Sequence, residues 1–270
     1  MDLFICPVCK RTLTFCEKVY ICENRHSYDI SKYGYVNLLM SQKSSKKRHG
    51  DDKLMIQSRQ DFLNKNYYKP LLDCITEIVM KKANNKPLTV LDAGCGEGYY
   101  SANIKQSVPQ CEMYGIDISK DALIFAHRRD KDITLAAAGC NKLPFTDNSF
   151  DVLLNIFSPT CTNEYSRVLK HDGLLIRAVP LKEHLFELKS AVYDTPYKNP
   201  EEPHTLDMFS LIEFHEIKYT FHLNTNQEIK ALFKMTPYYY KTSRSDQEKL
   251  NSINKLDIQA EFGVEVFIKQ

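Results

Sequence analysis

The chain has 270 residues and a formal net charge of +2 at pH 7, with 43% hydrophobic and 26% charged residues. This length and composition are typical of a globular protein with one main domain and a small appendage. The near-neutral charge gives no whole-chain indication of nucleic-acid binding, and the apolar stretches are too short to span a bilayer, which argues against a membrane segment.

The role of the nine cysteines depends on the redox state of the cellular compartment in which the chain is expected. The N-terminal sequence MDLFICPVCK lacks the basic start, apolar run and small-residue cleavage site of a secretory signal, so a cytoplasmic location is predicted. In that reducing environment cysteines are better interpreted as metal ligands or buried apolar side chains than as disulfide partners.

Residues 1–36 are predicted to form a zinc-binding module. Four ligand-type residues in it have the spacing C-x2-C-x12-C-x3-H: Cys6, Cys9, Cys22 and His26. Two tight turns with this spacing can complete one tetrahedral zinc site, which contributes folding energy to a segment too short to bury much apolar surface. Ordinary buried cysteines, a redox CxxC pair and Cys16 as a competing ligand are the alternatives.

Residues 37–66 are predicted to be a basic connector that leads into a helical segment. Three basic residues in it are candidate phosphate contacts, with solvated linker side chains as the alternative: Lys46, Lys47 and Arg48. From about residue 54 to residue 82, apolar residues recur at spacings of three and four, which indicates helix packed on a sheet.

Residues 67–270 are predicted to form one α/β domain. Short apolar runs alternate with helical segments near 99–107, 119–129 and 161–170, which favours a mostly parallel, Rossmann-like sheet with helices on both faces. Seven strands are predicted: Leu88 to Leu91, Met113 to Ile116, Ile133 to Ala136, Val152 to Ile156, Leu174 to Val179, Glu216 to His222 and Val264 to Lys269.

A glycine-rich loop follows the first of these strands. Asp92, Gly94, Gly96 and Gly98 stand between the strand LTVL and the helix YYSANIKQS, where the backbone can turn tightly and approach a ligand. A dinucleotide site would require a third glycine at the position of Tyr99, so the loop favours a cofactor without a pyrophosphate. An ordinary strand-to-helix turn is the alternative.

Asp117 is the predicted acidic partner of this loop. It ends the next strand, in YGIDIS, where a carboxylate can accept hydrogen bonds from the two hydroxyls of a ribose. A helix N-cap is the alternative role for Asp117, although Ser119 could fill that role as well.

At this point the sequence resembles the class I S-adenosylmethionine-dependent methyltransferases. The segments that carry the resemblance are DAGCGEG, GIDIS, LPFTDNSFDVL and RVLKHDGLLI. The resemblance implies S-adenosylmethionine as the cofactor and a Rossmann-like class I fold. One position departs from the family pattern, because Gly139 stands where an acidic residue often binds the adenine amino group. Asn141 or the backbone is then the candidate for adenine recognition.

The zinc-type module followed by this core resembles the 23S ribosomal RNA (guanine-N1)-methyltransferases. The most specific segments are CPVC, CENRHSYDISKYGYVNLL, NYYKPL, LDAGCGEGYY, HLFELK and KMTPYYYK. The resemblance implies one structural zinc ion and methylation of N1 of a guanine in a hairpin loop of the RNA. A homodimer is a candidate assembly, but the sequence does not determine the oligomeric state. The predicted cofactor contacts are Tyr68, Asp92, Gly94, Gly96, Glu97, Gly98, Tyr99, Asp117 and His184.

The resemblance alone singles out some of these residues. Without it, Tyr68 is a half-buried aromatic residue before a helix and His184 a solvated helix residue. Ser158 and Pro159, in NIFSPTC after the fourth strand, occupy the place where related nucleic-acid methyltransferases hold the target base, although a strand-ending turn is an equal alternative. No general base is identified, and Cys161 is not needed as a nucleophile because N1 methylation requires no attack on the ring.

Two other functions are compatible with the sequence. A methyltransferase of another RNA or of small molecules would use the zinc module only to cap its active site. An RNA-binding adaptor would keep the fold without catalysis. Salt-dependent RNA affinity distinguishes the small-molecule enzyme from the RNA enzyme, and cofactor binding distinguishes the adaptor from both.

Overall fold

An eight-stranded sheet forms the centre of the computed structural model, which describes residues 3–40, 50–201 and 203–270. Seven strands run in the same direction, and the strand Leu256–Lys269 runs antiparallel to both of its neighbours. From one edge to the other the strands are β10 (Phe209–Leu223), β11 (Leu256–Lys269), β9 (Leu169–Pro180), β8 (Phe150–Ile156), β5 (Leu88–Ala93), β6 (Cys111–Asp117), β7 (Thr134–Ala137) and β4 (Tyr35–Asn37).

The predicted Rossmann-like, mostly parallel sheet is confirmed, but the predicted count of seven strands is wrong. The eighth strand is β4, which pairs in parallel with β7 through Tyr35 and Leu135 at the sheet edge. Three residues give too short an apolar run for a sequence pattern to indicate a strand. Both faces of β4 are nevertheless covered, because Tyr35 and Val36 are buried in different core clusters.

A second, three-stranded antiparallel sheet lies in the N-terminal module. Its strands are β1 (Leu13–Cys16), β2 (Val19–Cys22) and β3 (Ser27–Asp29). The helices are α1 (Lys53–Leu63), α2 (Lys69–Ala83), α3 (Tyr99–Ser107), α4 (Lys120–Arg129), α5 (Thr162–Val168), α6 (Phe186–Val192), α7 (Asn226–Met235) and α8 (Arg244–Glu248). None of the helices in the described ranges combines the length and apolar character needed to cross a bilayer.

The break between α1 and α2 determines the position of Tyr68. Asn66 adopts a left-handed backbone conformation with φ 62°, which ends the first helical run. Pro70 stands in the first turn of α2, where a missing backbone N–H costs nothing. Tyr68 is the N-cap residue of α2, and its side chain is only 4% exposed.

Helices lie on both faces of the sheet, as predicted, but they are unevenly divided between the two faces. One face packs against helices that include α2, α3, α6 and α7, through buried residues such as Ile75, Ile104 and Leu188. The opposite face packs against α5 and against the N-terminal module, which contributes Phe4 and Leu13. The module therefore takes the place that further helices would otherwise occupy.

Candidate active site and zinc centre

The four predicted zinc ligands lie together in the N-terminal module. Their ligand atoms, on Cys6, Cys9, Cys22 and His26, all lie within 4.8 Å of one another. Sγ of Cys22 is 3.4 Å from Nδ1 of His26 and 3.6 Å from Sγ of Cys9. A tetrahedral zinc ion with normal bond lengths separates its ligand atoms by about 3.5 to 3.8 Å, so these two distances are close to those of a zinc site.

Two similar turns present these ligands. The N–H of Lys10 donates to the carbonyl of Cys6, and the N–H of Arg25 donates to the carbonyl of Cys22. Lys10 and Arg25 both have positive φ, 63° and 62°, which closes each turn tightly. Cys16, the competing ligand in the sequence, is exposed on β1 and does not belong to the cluster.

The module is attached to the main sheet next to the zinc ligands. Phe4 is 1% exposed and stacks on Phe145 with ring centroids 5.0 Å apart. The N–H of Ile5 donates to the carbonyl of Pro144, and the N–H of Thr146 donates to the carbonyl of Leu3. The segment LPF, which the sequence associates with the approach to β8, thus also holds the module in place.

A cleft of about 1080 Å³ opens where β5, β6, β8 and β9 end. Parallel α/β sheets bind ligands at this edge, because the loops after the strands meet there. The cleft brings together almost all of the predicted cofactor and base-binding residues of the described chain: Tyr68, Asp92, Gly94, Gly96, Glu97, Tyr99, Asp117, Ser158, Pro159 and His184.

Gly98 does not line this cleft. It caps α3 with φ 81°, and a Cβ at this position would lie 3.0 Å from the backbone of Ala126. Its absence of a side chain therefore allows α3 and α4 to pack closely. Lys46, Lys47 and Arg48 lie outside the described residues, so their predicted contact with phosphate stays a prediction.

The glycine loop is fixed by backbone hydrogen bonds to the end of β6. The N–H groups of Gly94 and Cys95 both donate to the carbonyl of Ile116, and the N–H of Gly96 donates to Oδ2 of Asp117 over 3.0 Å. Among the described residues, a Cβ at Gly96 would meet only Nη1 of Arg59, at 3.6 Å. Gly96 thus presents bare backbone to the cleft, as a closely bound cofactor requires.

Asp117 lies at the tip of β6 with its carboxylate already oriented. Its Oδ1 accepts from the N–H of Ser119 over 2.7 Å, and burial raises the pKa of the carboxyl while these backbone donors lower it. Ser119 supplies the N-cap of α4 by accepting from the N–H of Ala122. Asp117 is therefore not needed as a cap, and its remaining lone pairs are available to ribose hydroxyls.

Asp92 lies beneath the glycine loop at 2% exposure and accepts a hydrogen bond from Ser101. Burial raises the pKa of Asp92 to about 7, opposed by the Ser101 hydrogen bond and assisted by the charge of Asp117. The protonated, neutral form of this carboxyl is thus much more favourable in the folded chain than in water.

Replacement of Asp92 by asparagine is expected to change how stability depends on pH. Because folding raises the pKa of Asp92, its stabilising contribution is complete below pH 4 and is lost as pH rises through 7. The loss is on the order of 4 kcal/mol. The free energy of urea unfolding, measured without cofactor between pH 4 and pH 8, should rise for the variant relative to the wild type as pH increases. A difference that does not change with pH would refute this.

Tyr68 and His184 form a buried pair on one wall of the cleft. Nδ1 of His184 accepts from the backbone N–H of Glu261 over 3.2 Å, so the ring proton of the neutral imidazole is on Nε2. Nε2 lies 3.4 Å from the Tyr68 hydroxyl oxygen. Burial lowers the pKa of His184 to about 3 and raises that of Tyr68, so both stay neutral. The Tyr68 hydroxyl can then donate its proton to a ligand.

Several buried polar atoms beside the cleft have no partner within the described residues. Oε1 of Glu97 and the hydroxyls of Tyr99 and Tyr100 are examples, although the other oxygen of Glu97 is paired with Arg129. All three of these residues line the cleft. Since unsatisfied buried polar atoms are costly, these atoms fit a site that a polar ligand completes.

The loop after β8 forms the opposite wall. Nδ2 of Asn155 donates to Oγ of Ser158 over 2.6 Å and also contacts the carbonyl of Pro159. The Ser158 hydroxyl donates to the carbonyl of Ala93 at the start of the glycine loop. Ser158 is thus engaged in holding the two loops together, while Pro159 is exposed at the cleft.

Phe157 is a cleft residue that the sequence did not single out within NIFSPTC. Its φ is 54°, a left-handed conformation that is unfavourable for an aromatic residue, and its side chain is 46% exposed. Backbone strain of this kind is found at functional sites. An exposed ring at the carboxyl end of β8 is suited to stacking on an unpaired base.

Other cleft residues were also missed, among them Arg59, Arg177 and His204. The Arg59 side chain, on α1, is paired with Asp51 and lies over Gly96, where its charge can meet a carboxylate of the cofactor. Nothing in the local sequence distinguishes these residues from surface basic residues, because only the fold brings them to the cleft.

The predicted substitute for acidic adenine recognition also lines the cleft. Oδ1 of Asn141 would lie 3.0 Å from a Cβ built on Gly139. The Asn141 side chain thus occupies space next to the glycine that a longer acidic side chain would need. Adenine recognition by Asn141 stays a prediction.

Two family comparisons match separate parts of the chain. Residues 84–242 match the family described as methyltransferase domain. Residues 4–47 match the family described as RlmA, N-terminal, a zinc ribbon. The two matched segments contain the glycine loop and the four cysteine and histidine ligands, respectively.

Individual relatives are similar over most or all of the chain. A Bacillus subtilis protein provisionally named 23S rRNA (guanine-N(1)-)-methyltransferase YxjB is 31% identical, covering 99% of this chain and 98% of that protein. The Streptomyces fradiae 23S rRNA (guanine(748)-N(1))-methyltransferase is 31% identical, covering 69% of this chain and 66% of that protein. The structure of PH0226 from Pyrococcus horikoshii has a TM-score of 0.49 and 16% identity, covering 82% of this chain and all of the other.

Proposed function

Because the chain belongs to the family of the 23S rRNA (guanine-N(1)-)-methyltransferases, we propose that it methylates N1 of a guanine in 23S ribosomal RNA. S-adenosylmethionine is the cofactor, and the Cys3His cluster is a structural zinc site. The observation that carries the proposal is the 31% identity to the Bacillus subtilis relative over 99% of the chain, since it includes both the zinc module and the cleft.

The cofactor would lie along the loops at the ends of β5 and β6. Asp117 would accept from its ribose hydroxyls, and the exposed backbone at Gly96 would allow its close approach. Arg59 and the Tyr68 hydroxyl face the same cleft from α1 and α2, and they would hold the polar end of the methionine part. These contacts stay proposals until the bound complex is observed.

The target guanine would enter from the side of the β8 loop. Pro159 and the Phe157 ring are exposed there, and stacking on an aromatic ring is the usual way of holding an unpaired RNA base. The zinc module and α5 pack on the same face of the sheet. A hairpin loop is the favoured RNA element, because its bases are accessible without opening a duplex, and Lys46, Lys47 and Arg48 are proposed to contact its phosphates.

When bound, S-adenosylmethionine supplies an electrophilic methyl group on a positively charged sulfur. Charge disappears during this displacement, so the residues of the chain contribute mainly by aligning the guanine with the methyl group. Correct alignment can supply about 7 to 11 kcal/mol of the barrier reduction. The hydrogen bonds that fix the Asn155–Ser158 loop to the glycine loop serve this purpose.

The cytoplasm is the proposed location, because ribosomal RNA is the proposed substrate. Assembly of the chain as a homodimer stays a prediction.

Purified protein with tritiated S-adenosylmethionine should label unmodified 23S rRNA on guanine N1. Labelling of transfer RNA or small metabolites alone would contradict the proposal. Affinity for the RNA should fall steeply with salt because phosphate contacts release counterions, whereas a small-molecule enzyme should show no such dependence. Cofactor binding without any methyl transfer to RNA would favour the non-catalytic adaptor.

A further inference from the structure

Methyl transfer to N1 of guanine requires a base, because N1 carries a proton at neutral pH and must lose it to become a nucleophile. We propose that His204 is this base and that Glu265 holds its imidazole in the productive tautomer. The inference rests on the proposed function, since it names the residue that performs one step of that reaction.

His204 and Glu265 form a hydrogen-bonded pair. Nδ1 of His204 lies 2.6 Å from Oε1 of Glu265. An ionised carboxylate can only accept, so the proton of the neutral ring is on Nδ1 and the free lone pair is on Nε2. A buried aspartate fixes the histidine of a Ser-His-Asp triad in the same way. Nε2 of His204 is therefore the atom prepared to accept a proton.

Glu265 is fixed in position by its surroundings. Its side chain is fully buried on β11, and both of its oxygens are contacted by Nε and Nη2 of Arg177 on β9. A bidentate guanidinium partner satisfies the buried carboxylate and prevents it from turning away. The carboxylate can also stabilise the positive ring that forms when His204 takes up a proton.

The pair lies beside the proposed base pocket. Asn155 on β8, Arg177 on β9 and Glu265 on β11 occupy one row across the sheet, because Arg177 is the register partner of both of the others. Asn155 holds the loop of Ser158, so the row begins at the pocket wall. Arg177 and His204 both line the cleft that also contains the glycine loop.

The His204 ring packs against the protein on one side and is partly exposed to solvent. It packs on the Phe214 ring of β10, with centroids 4.4 Å apart, and 41% of its side chain is exposed. The preceding segment is anchored by Asn199, which accepts from Nζ of the buried Lys189 and donates to the carbonyl of Leu181. Because the Nδ1 edge faces buried Glu265, the exposed part includes the opposite edge.

Other ionisable groups of the cleft are less suited to this step. The lone pair of His184 on Nδ1 is already taken by the N–H of Glu261. Asp92 is buried below the glycine loop and bonded to Ser101. Glu201 is exposed and paired with Lys182. His204 therefore combines a free acceptor, an orienting carboxylate and a place near the β8 loop.

The proposed step balances in atoms and charge. The N1–H bond of guanine breaks, and its proton moves to Nε2 of His204, which becomes an imidazolium beside Glu265. The electron pair left on N1 forms the new bond to the methyl carbon, and the carbon–sulfur bond breaks with its electrons moving to sulfur. The products are N1-methylguanine and S-adenosylhomocysteine, and His204 then releases its proton to water.

Replacement of His204 by glutamine tests this role, because glutamine has a similar size but cannot take up the proton. Single-turnover methylation of a 23S rRNA fragment with saturating cofactor should slow by about 100- to 10,000-fold. Dissociation constants for RNA and for S-adenosylhomocysteine, measured by direct binding, should stay within about twofold. The deficit should shrink at alkaline pH, where solvent removes the N1 proton, and imidazole should partly rescue His204→Ala.

A matched control is His222→Gln. His222 is paired with Asp257 through Nδ1 over 2.7 Å, as His204 is with Glu265, but it is exposed on β10 and does not line the cleft. Its replacement should leave the methylation rate unchanged. In the described part of the chain, the charged groups found in contact with the His204 ring are Glu265 and, behind it, Arg177, while β10 contributes the uncharged Phe214 ring.

The outcomes separate this inference from the proposed function. Wild-type protein that fails to methylate guanine N1 would overturn the proposed function and the inference with it. Wild-type activity together with an undiminished rate in His204→Gln would overturn only the inference. A slow variant that binds RNA weakly, and that neither alkaline pH nor imidazole rescues, would show a binding role and also overturn it.

Discussion

Replacement of Cys22 by serine is expected to abolish zinc binding and to detach the N-terminal module. Cys22 is buried, and its sulfur lies within 3.6 Å of both Cys9 Sγ and His26 Nδ1, so its loss leaves an incomplete tetrahedron. Structural zinc sites contribute roughly 10 to 16 kcal/mol of binding energy to folding in small peptides. The purified variant should contain no zinc by atomic emission, against one ion per wild-type chain.

The loss should extend into the main domain. Phe4 and Leu13 of the module are buried against the central sheet, and exposing both costs on the order of 3 to 6 kcal/mol. The thermal unfolding midpoint should then fall by roughly 10 °C. Cys16→Ser is the matched control, because Cys16 is an exposed cysteine of the same module outside the cluster. Native wild-type protein without zinc would refute the metal assignment.

Replacement of Gly96 by arginine is expected to eliminate cofactor binding while the fold survives. A side chain at this position would extend into the cleft, because its Cβ would meet nothing closer in the described chain than Nη1 of Arg59, at 3.6 Å. The φ of 55° costs a non-glycine residue about 1 to 2 kcal/mol, which a domain of this size tolerates. Calorimetric titration with S-adenosylhomocysteine should show at least about a 100-fold weaker affinity.

Two further variants control for the added charge and for the size of the new side chain. Gln110→Arg adds the same charge at an exposed position outside the cleft and should bind the cofactor normally. Gly96→Ala adds a single methyl group and should weaken binding less than arginine does. If Gly96→Arg kept both wild-type cofactor affinity and activity, the assignment of the glycine loop would be wrong.

The parts of the site that the sequence predicts are those whose residues are close in the chain. The zinc ligands come in pairs three or four residues apart, so each pair shares one turn and the spacing alone indicates the metal. The glycine loop and Asp117 lie at the ends of consecutive strands, β5 and β6, which pair directly in the sheet. In both cases local geometry determines which side chains meet.

The remaining parts depend on contacts between distant segments. His204 and Glu265 are 61 positions apart and Arg177 and Glu265 are 88 apart, and only the antiparallel pairing of β9 with β11 aligns the latter two. The eighth strand, around Tyr35, has three residues and gains its stability from tertiary burial. Sequence periodicity contains no information on such pairings, so neither the base candidate nor the exact strand count could be predicted.

Mapping of modified nucleotides in 23S rRNA from cells with and without this gene shows whether the chain methylates N1 of a guanine in the cell. A methyl group on N1 blocks the Watson–Crick edge of guanine, so it stops reverse transcription and can be confirmed by mass spectrometry of the isolated fragment. One N1-methylated guanine in a hairpin loop is expected to disappear with the gene and to return with the wild-type chain but not with Gly96→Arg. Identical N1-methylguanine patterns in both strains would contradict this expectation.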